Sequence, residues 1–283
     1  VGWRSLCGVT PALDNSRQKR DAVCSMQIVA VINQKGGVGK TTTAVNLSAA
    51  LASLGRKTLL IDLDPQGNAT SHLGLEKVEG ASLYGALVDG VSPSSLLQPT
   101  RDPNLFAIPA EIDLAGCEVE IARTPEPVQR LRQTLDPLRT DATFQFAILD
   151  CPPSLGILMT NALAAADALI IPVQCEYFAL EGVSKILALI DRMREEGQNR
   201  SLRIIGVLMT MYDARTRLSE QVVNEVQQHL PDKVFQTVIA RSIRLAEAPS
   251  FGQTIFEYDP NGVGALAYRN FAREFVSRAD PHP

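Results

Sequence analysis

Histidine and cysteine are too few and too scattered in this chain to build a reactive or metal-binding cluster. The five cysteines, Cys7, Cys24, Cys117, Cys151 and Cys175, never fall into a Cys-x-x-Cys spacing, which argues against disulfides and against an iron–sulfur or zinc centre. His72, His229 and His282 are equally dispersed, so a histidine-based metal site or an activated nucleophile has no support. Also missing is any apolar run near the roughly 18–20 residues needed to cross a bilayer, and the N-terminus lacks an apolar signal core. A cytoplasmic protein is expected. Positive charge is not in excess: the formal net charge is −4 and the pI near 5.5. Any nucleic-acid contact must therefore come from a local basic patch, because the overall field mildly repels phosphate. No internal repeat, low-complexity tract or linker is visible. With 283 residues, 45% hydrophobic and 20% charged, one large α/β domain is expected over residues 26–283. Residues 1–25 have no periodicity that would bury a face and are expected to be disordered. Met26 immediately precedes the first apolar run, so that stretch reads either as an extension upstream of a natural start or as a short flexible arm.

What the chain does contain is Lys35-Gly36-Gly37-Val38-Gly39-Lys40-Thr41-Thr42, between the apolar run Ile28 to Ile32 and a helical pattern that starts near Thr42. Glycines let the backbone curl until successive N–H groups converge on phosphate oxygens, and the following helix adds the positive end of its dipole. Lys40 would neutralise β- and γ-phosphates as a point charge, and the Thr41 hydroxyl can coordinate a Mg²⁺ ion bridging them. The common phosphate-loop rule also asks for glycine five residues before Gly39, but Gln34 stands there and Lys35 follows it. A second lysine so near the phosphates is free to reach elsewhere, since Lys40 already supplies the contact within the chain. The segment resembles the deviant Walker A box of the MinD/ParA class of ATPases. That resemblance implies that Lys35 contacts nucleotide bound to the partner subunit of a dimer.

From Gln27 onward, β-branched and aliphatic runs alternate with helical segments, the pattern of a parallel sheet covered on both faces. Strands are expected at Ile28–Ile32, Thr58–Ile61, Leu105–Ile108, Phe146–Leu149, Ala168–Pro172, Ile204–Thr210 and Val234–Val238. Ala44, Leu47, Leu51 and Leu54 recur at helical spacing before Gly55, and a long helix over Ala179–Glu195 carries Val183, Ile186, Leu187 and Ile190 on one face. The second strand runs into Asp62-Leu63-Asp64-Pro65, whose carboxylates alternate and so share a face of an extended backbone, within reach of one metal-bound phosphate or water. A later strand ends in Ile148-Leu149-Asp150-Cys151-Pro152-Pro153, delivering Asp150 in the manner of a Walker B box, to hold Mg²⁺ directly or through water. Thr41, Asp62 and Asp150 are thus the metal candidates.

Here the resemblance widens. Asn33 through Thr43, Leu60 through Thr70, Asp150 through Leu155, Val173 through Gly182 and Arg244 through Ser250 are similar to ParA/Soj-type partition ATPases, with coverage from about Met26 to about Ala279. The resemblance implies a P-loop NTPase-like α/β fold, a mostly parallel twisted sheet with helices on both faces. It implies ATP and Mg²⁺ as ligands, a nucleotide-sandwich homodimer formed with ATP, non-specific DNA binding and nucleoid association, and slow hydrolysis stimulated by a ParB-type centromere-binding partner. By position, Asp64 matches the residue that orients the attacking water, Asp150 the switch carboxylate and Lys35 the intersubunit lysine. One departure is Ile239-Ala240-Arg241-Ser242, where the family often has Ile-Pro-Arg-Asn, a segment near the adenine in relatives.

A DNA face shared across a dimer needs arginines gathered from separated segments. Arg215, Arg217, Arg241 and Arg244 are the candidates, with Lys233 and Arg203 as weaker ones; each also reads as a solvated arginine at a helix end. Three rivals share the loop. A MinD-like membrane-surface ATPase needs an amphipathic helix beyond the fold, whereas Tyr268, Phe271, Ala272 and Phe275 are more simply used to close the core, so no membrane partner is expected. A nitrogenase-iron-protein-like carrier needs cysteines placed to bridge a cluster. A cargo-positioning ATPase differs only in its partner.

Overall fold

The computed structural model describes residues 26–279; the expectation of disorder for residues 1–25 lies outside them, as do Cys7, Cys24 and His282. Seven strands, β1 (Gln27–Val31), β2 (Thr58–Asp62), β3 (Gln98–Pro99), β4 (Leu105–Ile108), β5 (Phe146–Asp150), β6 (Ala168–Gln174) and β7 (Arg203–Thr210), form one sheet in the order β3-β4-β2-β5-β1-β6-β7. Only the β3–β4 pair is antiparallel. Parallel neighbours demand crossovers, and the chain supplies them as helices. These are α1 (Lys40–Ser53), α2 (Asn68–His72), α3 (Tyr84–Val88), α4 (Leu114–Ile121), α5 (Arg130–Asp141), α6 (Ile157–Ala165), α7 (Ala179–Glu195), α8 (Arg217–His229), α9 (Ile243–Glu247), α10 (Ile255–Tyr258) and α11 (Val263–Ala279).

Strand periodicity divides the apolar residues between two cores. Ile28 and Ala30 of β1, with Leu59 and Ile61 of β2, face one core under α3 to α8. Val29, Val31 and Leu60 face the other, under α1 and α11. Both faces are covered, which is why these strands read as near-continuous apolar runs. The chain leaves β1 for β2 on one side and reaches β6 on the other, so a crevice opens where β1 ends, and ligands of such sheets collect there.

The seventh expected strand, Val234–Val238, is not one. One isolated bridge, Val207 with Val234, joins it to β7, and a second, Tyr212 with Ala240, lies past the ends of both segments. The cause is a competing partner: Glu274 of α11 accepts the N–H groups of Gln236 and Thr237 at 2.7 and 2.9 Å, and Arg278 donates to the Val234 carbonyl at 2.8 Å. Those bonds satisfy backbone groups that a ladder would otherwise need. The short β3, which contains Pro99 at the sheet edge, gives no periodic signal and was not expected. Helix α1 begins at Lys40 rather than near Thr42, because Gly39 adopts φ 86° as its N-cap; Leu54, expected on the buried stripe, is the exposed C-cap.

In α11, Tyr268, Phe271, Ala272 and Phe275 are all buried. Phe271 packs edge-on against Phe235 with centroids 4.8 Å apart and against Tyr268 at 6.4 Å. Truncation there removes a fully enclosed ring. Phe271→Ala is expected to destabilise the fold by about 3–5 kcal/mol, read as a lower urea midpoint; a midpoint unchanged from wild type would contradict this packing.

Candidate functional site

The loop after β1 is fixed from below before it can act. Buried Asn33 donates to the Pro172 carbonyl of β6 at 2.7 Å and accepts the Lys35 N–H at 3.0 Å. Thr210, ending β7, donates to the Val38 carbonyl at 2.9 Å. Gly37 and Gly39 sit at φ 74° and 86°, where a side chain would be strained. The Lys40 amine, buried at the first turn of α1, closes the loop by donating to the Lys35 carbonyl at 3.2 Å. Burial holds the Lys40 pKa below its ordinary value, against the pull of Asp150, Cys151 and Asp64.

Lys35 itself points away from this closure. Its Nζ pairs with Glu176 Oε2 at 2.6 Å, and both side chains are about half exposed, at 49% and 46%. An ion pair so wet contributes little to stability.

The acidic residues divide into different roles. Asp150 is fully buried, and neither of its carboxylate oxygens has a hydrogen-bond partner. Burial, then the Asp62 carboxylate beside it, pushes its pKa well up, while Thr41 and Lys40 pull it down. Two orphaned buried oxygens next to a threonine hydroxyl and a lysine are the donor set a hard cation fits. Asp62, a metal candidate with Thr41 and Asp150, lies beside Asp150 at the strand ends. In this structure its Oδ2 accepts the N–H and hydroxyl of Thr70 at 2.9 and 2.8 Å, and its Oδ1 accepts the Asp64 N–H at 3.2 Å. It anchors α2 to β2, and burial lifts its pKa to about 6. Asp64 sits in the turn that follows, accepts the Gln66 N–H at 3.0 Å and faces the cavity.

That cavity, of about 520 Å³, is bounded by the glycine loop and Lys40 on one side and by Asp64, Asn68, Ser71 and His72 on the other. Gly39, Thr42 and Met211 are shared with an adjoining cavity of about 210 Å³, whose walls of Ile239, Ala240, Leu245 and Tyr268 are more apolar. A polar chamber for phosphates joined to an apolar slot for a base is the shape of a nucleotide site. The departing segment Ile239-Ala240-Arg241-Ser242 therefore forms a wall of the slot, and its Ser242 side chain caps α9. Met211, at φ 52°, stands in the left-handed region where the two cavities meet.

The structure brings the four candidate arginines to one end of the sheet. Arg215 makes two bonds to Asp213, at 2.9 and 2.8 Å, and Arg241 is near enough to add to the depression of that carboxylate's pKa, to about 2, that Arg215 causes. The Arg241 N–H donates to the Tyr212 carbonyl at 2.9 Å, joining the two loops. Arg217 opens α8, and Arg244 lies over the Tyr258 ring and 3.3 Å from Glu247. The two weaker candidates do not join them. Arg203 begins β7, at the opposite end of a strand spanning roughly 23 Å, and Lys233 bonds to Val207 beside the middle of that strand.

Sequence reasoning did not find Asn33, Thr210, Met211 or His72. Asn33 and Thr210 act through partners remote in the chain. His72 looked like one of three scattered histidines, yet it is buried in the cavity wall with Nε2 unpartnered.

Comparisons with known proteins place this geometry. A family model described as an AAA domain matches residues 26–204. The chain is 49% identical to the sporulation initiation inhibitor protein Soj of Bacillus subtilis over 89% of this chain and 98% of that protein. It is 45% identical to the chromosome partitioning protein ParA of Caulobacter vibrioides, over 89% and 95% respectively. Among solved structures, one described as cobyrinic acid a,c-diamide synthase from Mycobacterium smegmatis, with bound ADP and magnesium, superposes with a TM-score of 0.78 at 37% identity, covering 90% of this chain and 96% of that one. The septum site-determining protein MinD of Pyrococcus horikoshii, complexed with Mg-ADP, shares the fold with a TM-score of 0.75 at 24% identity, over 90% of this chain and 97% of that one.

Burial pushes the His72 pKa from 6.5 down to about 4, with Glu257 and the Gln253 carbonyl pulling the other way. The unfolded chain takes up the proton below pH 6.5, and the folded one refuses it until about pH 4, so stability is lost as the pH falls through that window. Relative to His72→Gln, wild type is expected to lose about 3 kcal/mol over the interval. Asp62, which titrates in an overlapping range with the opposite sign, is common to both proteins and cancels. Denaturation curves measured across the interval that stay parallel would contradict a buried neutral imidazole.

Proposed function

The chain belongs to the ParA/Soj family of chromosome-partitioning ATPases, and on that premise we propose that it is an ATP-driven dimerisation switch that holds non-specific DNA and segregates it. The observation that carries this reading is the division of labour between two lysines. Lys40 closes the loop onto the Lys35 carbonyl, so the Lys35 side chain has no task within its own cradle and stands at the rim, held only by an exposed carboxylate. On binding ATP, Lys35 exchanges Glu176 for the phosphates of the opposing subunit, and the two nucleotides become part of the interface.

Within each site the buried ammonium of Lys40 lies against the β- and γ-phosphates, and the backbone N–H groups of Gly36 to Thr42 surround them. Among the described residues no three His, Cys, Asp or Glu side chains form a metal cage, so a cation here shares its ligands with phosphate oxygens. Thr41 and Asp150 would hold Mg²⁺, which when bound draws charge off the phosphate oxygens. Asp64, at the cavity wall, orients the attacking water. Lys40 and the partner's copy of Lys35 offset charge on the transferring group. Departure of the phosphate removes the bridge between subunits, so the dimer and its DNA grip weaken together.

Arg215, Arg217, Arg241 and Arg244, at one end of the sheet, give phosphate contacts that carry no sequence information. A ParB-type partner stimulates hydrolysis, and the protein works in the cytoplasm on the nucleoid. No helix among the described residues is long and apolar enough to cross a membrane, and Tyr268, Phe271, Ala272 and Phe275 of α11 are spent on the core.

In size-exclusion chromatography with ATP and Mg²⁺, Lys35→Ala is expected to bind nucleotide yet remain monomeric, Lys40→Ala to lose nucleotide, and Asp64→Ala to stay dimeric with hydrolysis reduced by roughly 10²-fold or more. A Lys35→Ala protein that dimerises normally would remove the premise.

DNA affinity, measured with ATP, ADP and no nucleotide at two salt concentrations, is expected to be highest with ATP. Its logarithm should fall by roughly 0.9 per log unit of salt for each phosphate neutralised. Reversing the charge of the four arginines together should abolish the ATP-dependent part; unchanged retention would exclude this surface.

A further inference from the structure

Two glycines far apart in the chain meet backbone to backbone beside the phosphate cavity. Gly74, just past α2, and Gly252, after the 3₁₀ turn Ala248–Phe251, both have positive φ, 67° and 60°. A Cβ on Gly74 would stand 2.8 Å from the Gly252 carbonyl oxygen, and one on Gly252 would stand 2.7 Å from the Gly74 Cα. Neither position can carry a side chain without parting the two segments. Arg101, from the loop between β3 and β4, lies across the contact: its Nη1 donates to the Gly252 carbonyl at 2.7 Å and sits 3.3 Å from Glu257 Oε1. Beneath them His72 is buried, with the Gln253 backbone as its partner.

The two sides of this joint face different tasks. On one side, α2 is bonded to Asp62 through Thr70 and presents Asn68 and Ser71 to the phosphate chamber. On the other, residues 241–258 form a single bonded unit. Leu245 and Ala246 wall the base slot, Arg241 and Arg244 belong to the arginine group, and Glu247 accepts from both Arg244 and the Tyr258 hydroxyl. Asn46 of α1 accepts the Ile255 N–H at 2.9 Å, giving the unit a pivot on the phosphate-loop helix. Two backbones in direct contact with no compliant side chain between them cannot slide independently.

We propose that the Gly74–Gly252 contact, clasped by Arg101, is the joint that transmits the state of the terminal phosphate from α2 to the arginine-bearing segment 241–247, with Arg101 as a positioning residue for the switch. The inference rests on the proposed function for its DNA readout but not for its structural one. ADP fills the base slot as ATP does, so the difference between the two nucleotides isolates what reaches the segment through α2.

The test compares wild type, Arg101→Ala, Arg101→Lys, Gly252→Ala and Gly80→Ala. Gly80 also has positive φ, 79°, but nothing lies near its absent Cβ, so Gly80→Ala reproduces the backbone strain without the clash. Amide exchange over residues 242–258, with ATP against ADP, is expected to differ in wild type, Gly80→Ala and Arg101→Lys, and to lose that difference in Arg101→Ala and Gly252→Ala while ATP binding persists. The ATP-over-ADP ratio in DNA affinity should fall at least about fivefold in those two variants, the lower end of a coupling between sites. Arg101 is exposed, so Arg101→Ala carries the test even where Gly252→Ala does not fold. Wild-type exchange that is the same with ATP and ADP, or a difference that survives in Arg101→Ala, overturns the joint. DNA affinity indifferent to nucleotide in wild type, with the exchange difference intact, overturns the DNA reading and leaves the joint standing.

Discussion

The confinement of Lys40 and Asp150 in one dry pocket is the constraint on which the rest of the structure depends. Each is taken out of water by the sheet and by α1, and burial pushes each toward its neutral form: the amine pKa falls and the carboxyl pKa rises. Asp150 has no donor beside it other than the Thr41 hydroxyl, and the amine has a single backbone carbonyl. Buried charge is costly unless paired and hydrogen-bonded. A triphosphate with its cation supplies both partners at once, which makes ligand binding the natural way to relieve the strain. Functional sites hold such unfavourable arrangements only where the surrounding fold over-determines them.

The over-determination is visible in the bonds around the pocket. The β2–β5 pairing sets Asp62 opposite Asp150 at adjacent strand ends. Asp62, its oxygens occupied by Thr70 and the Asp64 N–H, fixes α2 and aims Asp64 at the cavity. Thr70 in turn accepts the Ala110 N–H at 2.9 Å, so α2 is held by β2 and by the segment after β4. Asn33 and Thr210 do the same for the glycine loop from β6 and β7.

Family membership and the site geometry meet on Lys35. An amine paired at the rim with Glu176, both half in water, is held by an interaction of small net worth. The glycine joint beneath Arg101 has the opposite character: it has no side chain to rearrange, and it ties the phosphate side of the cavity to the side that carries Arg241 and Arg244.

Much of this was legible in the chain. The loop from Lys35 to Thr42, the alternation of apolar runs with helical periods, Asp150 at a strand end and the buried stripe of α11 are local patterns, each set by backbone geometry over a few residues. What stayed hidden depends on partners distant in sequence. Residues 234–238 look like a strand, but Glu274 and Arg278 hold their backbone off the ladder. Asp62 and Asp64 look equivalent by spacing, and only Thr70 separates their roles. Arg203 resembles the other arginines until the parallel sheet sends it to the far end of β7. His72 and the pairing of Gly74 with Gly252 carry no sequence signal. By itself the sequence determined the chemistry of the phosphate cradle and the class of sheet beneath it, because periodicity and glycine content act locally. The tertiary structure decided which carboxylate faces the cavity, which arginines share a surface and which backbones touch, because burial and hydrogen-bond competition are settled only when remote segments meet.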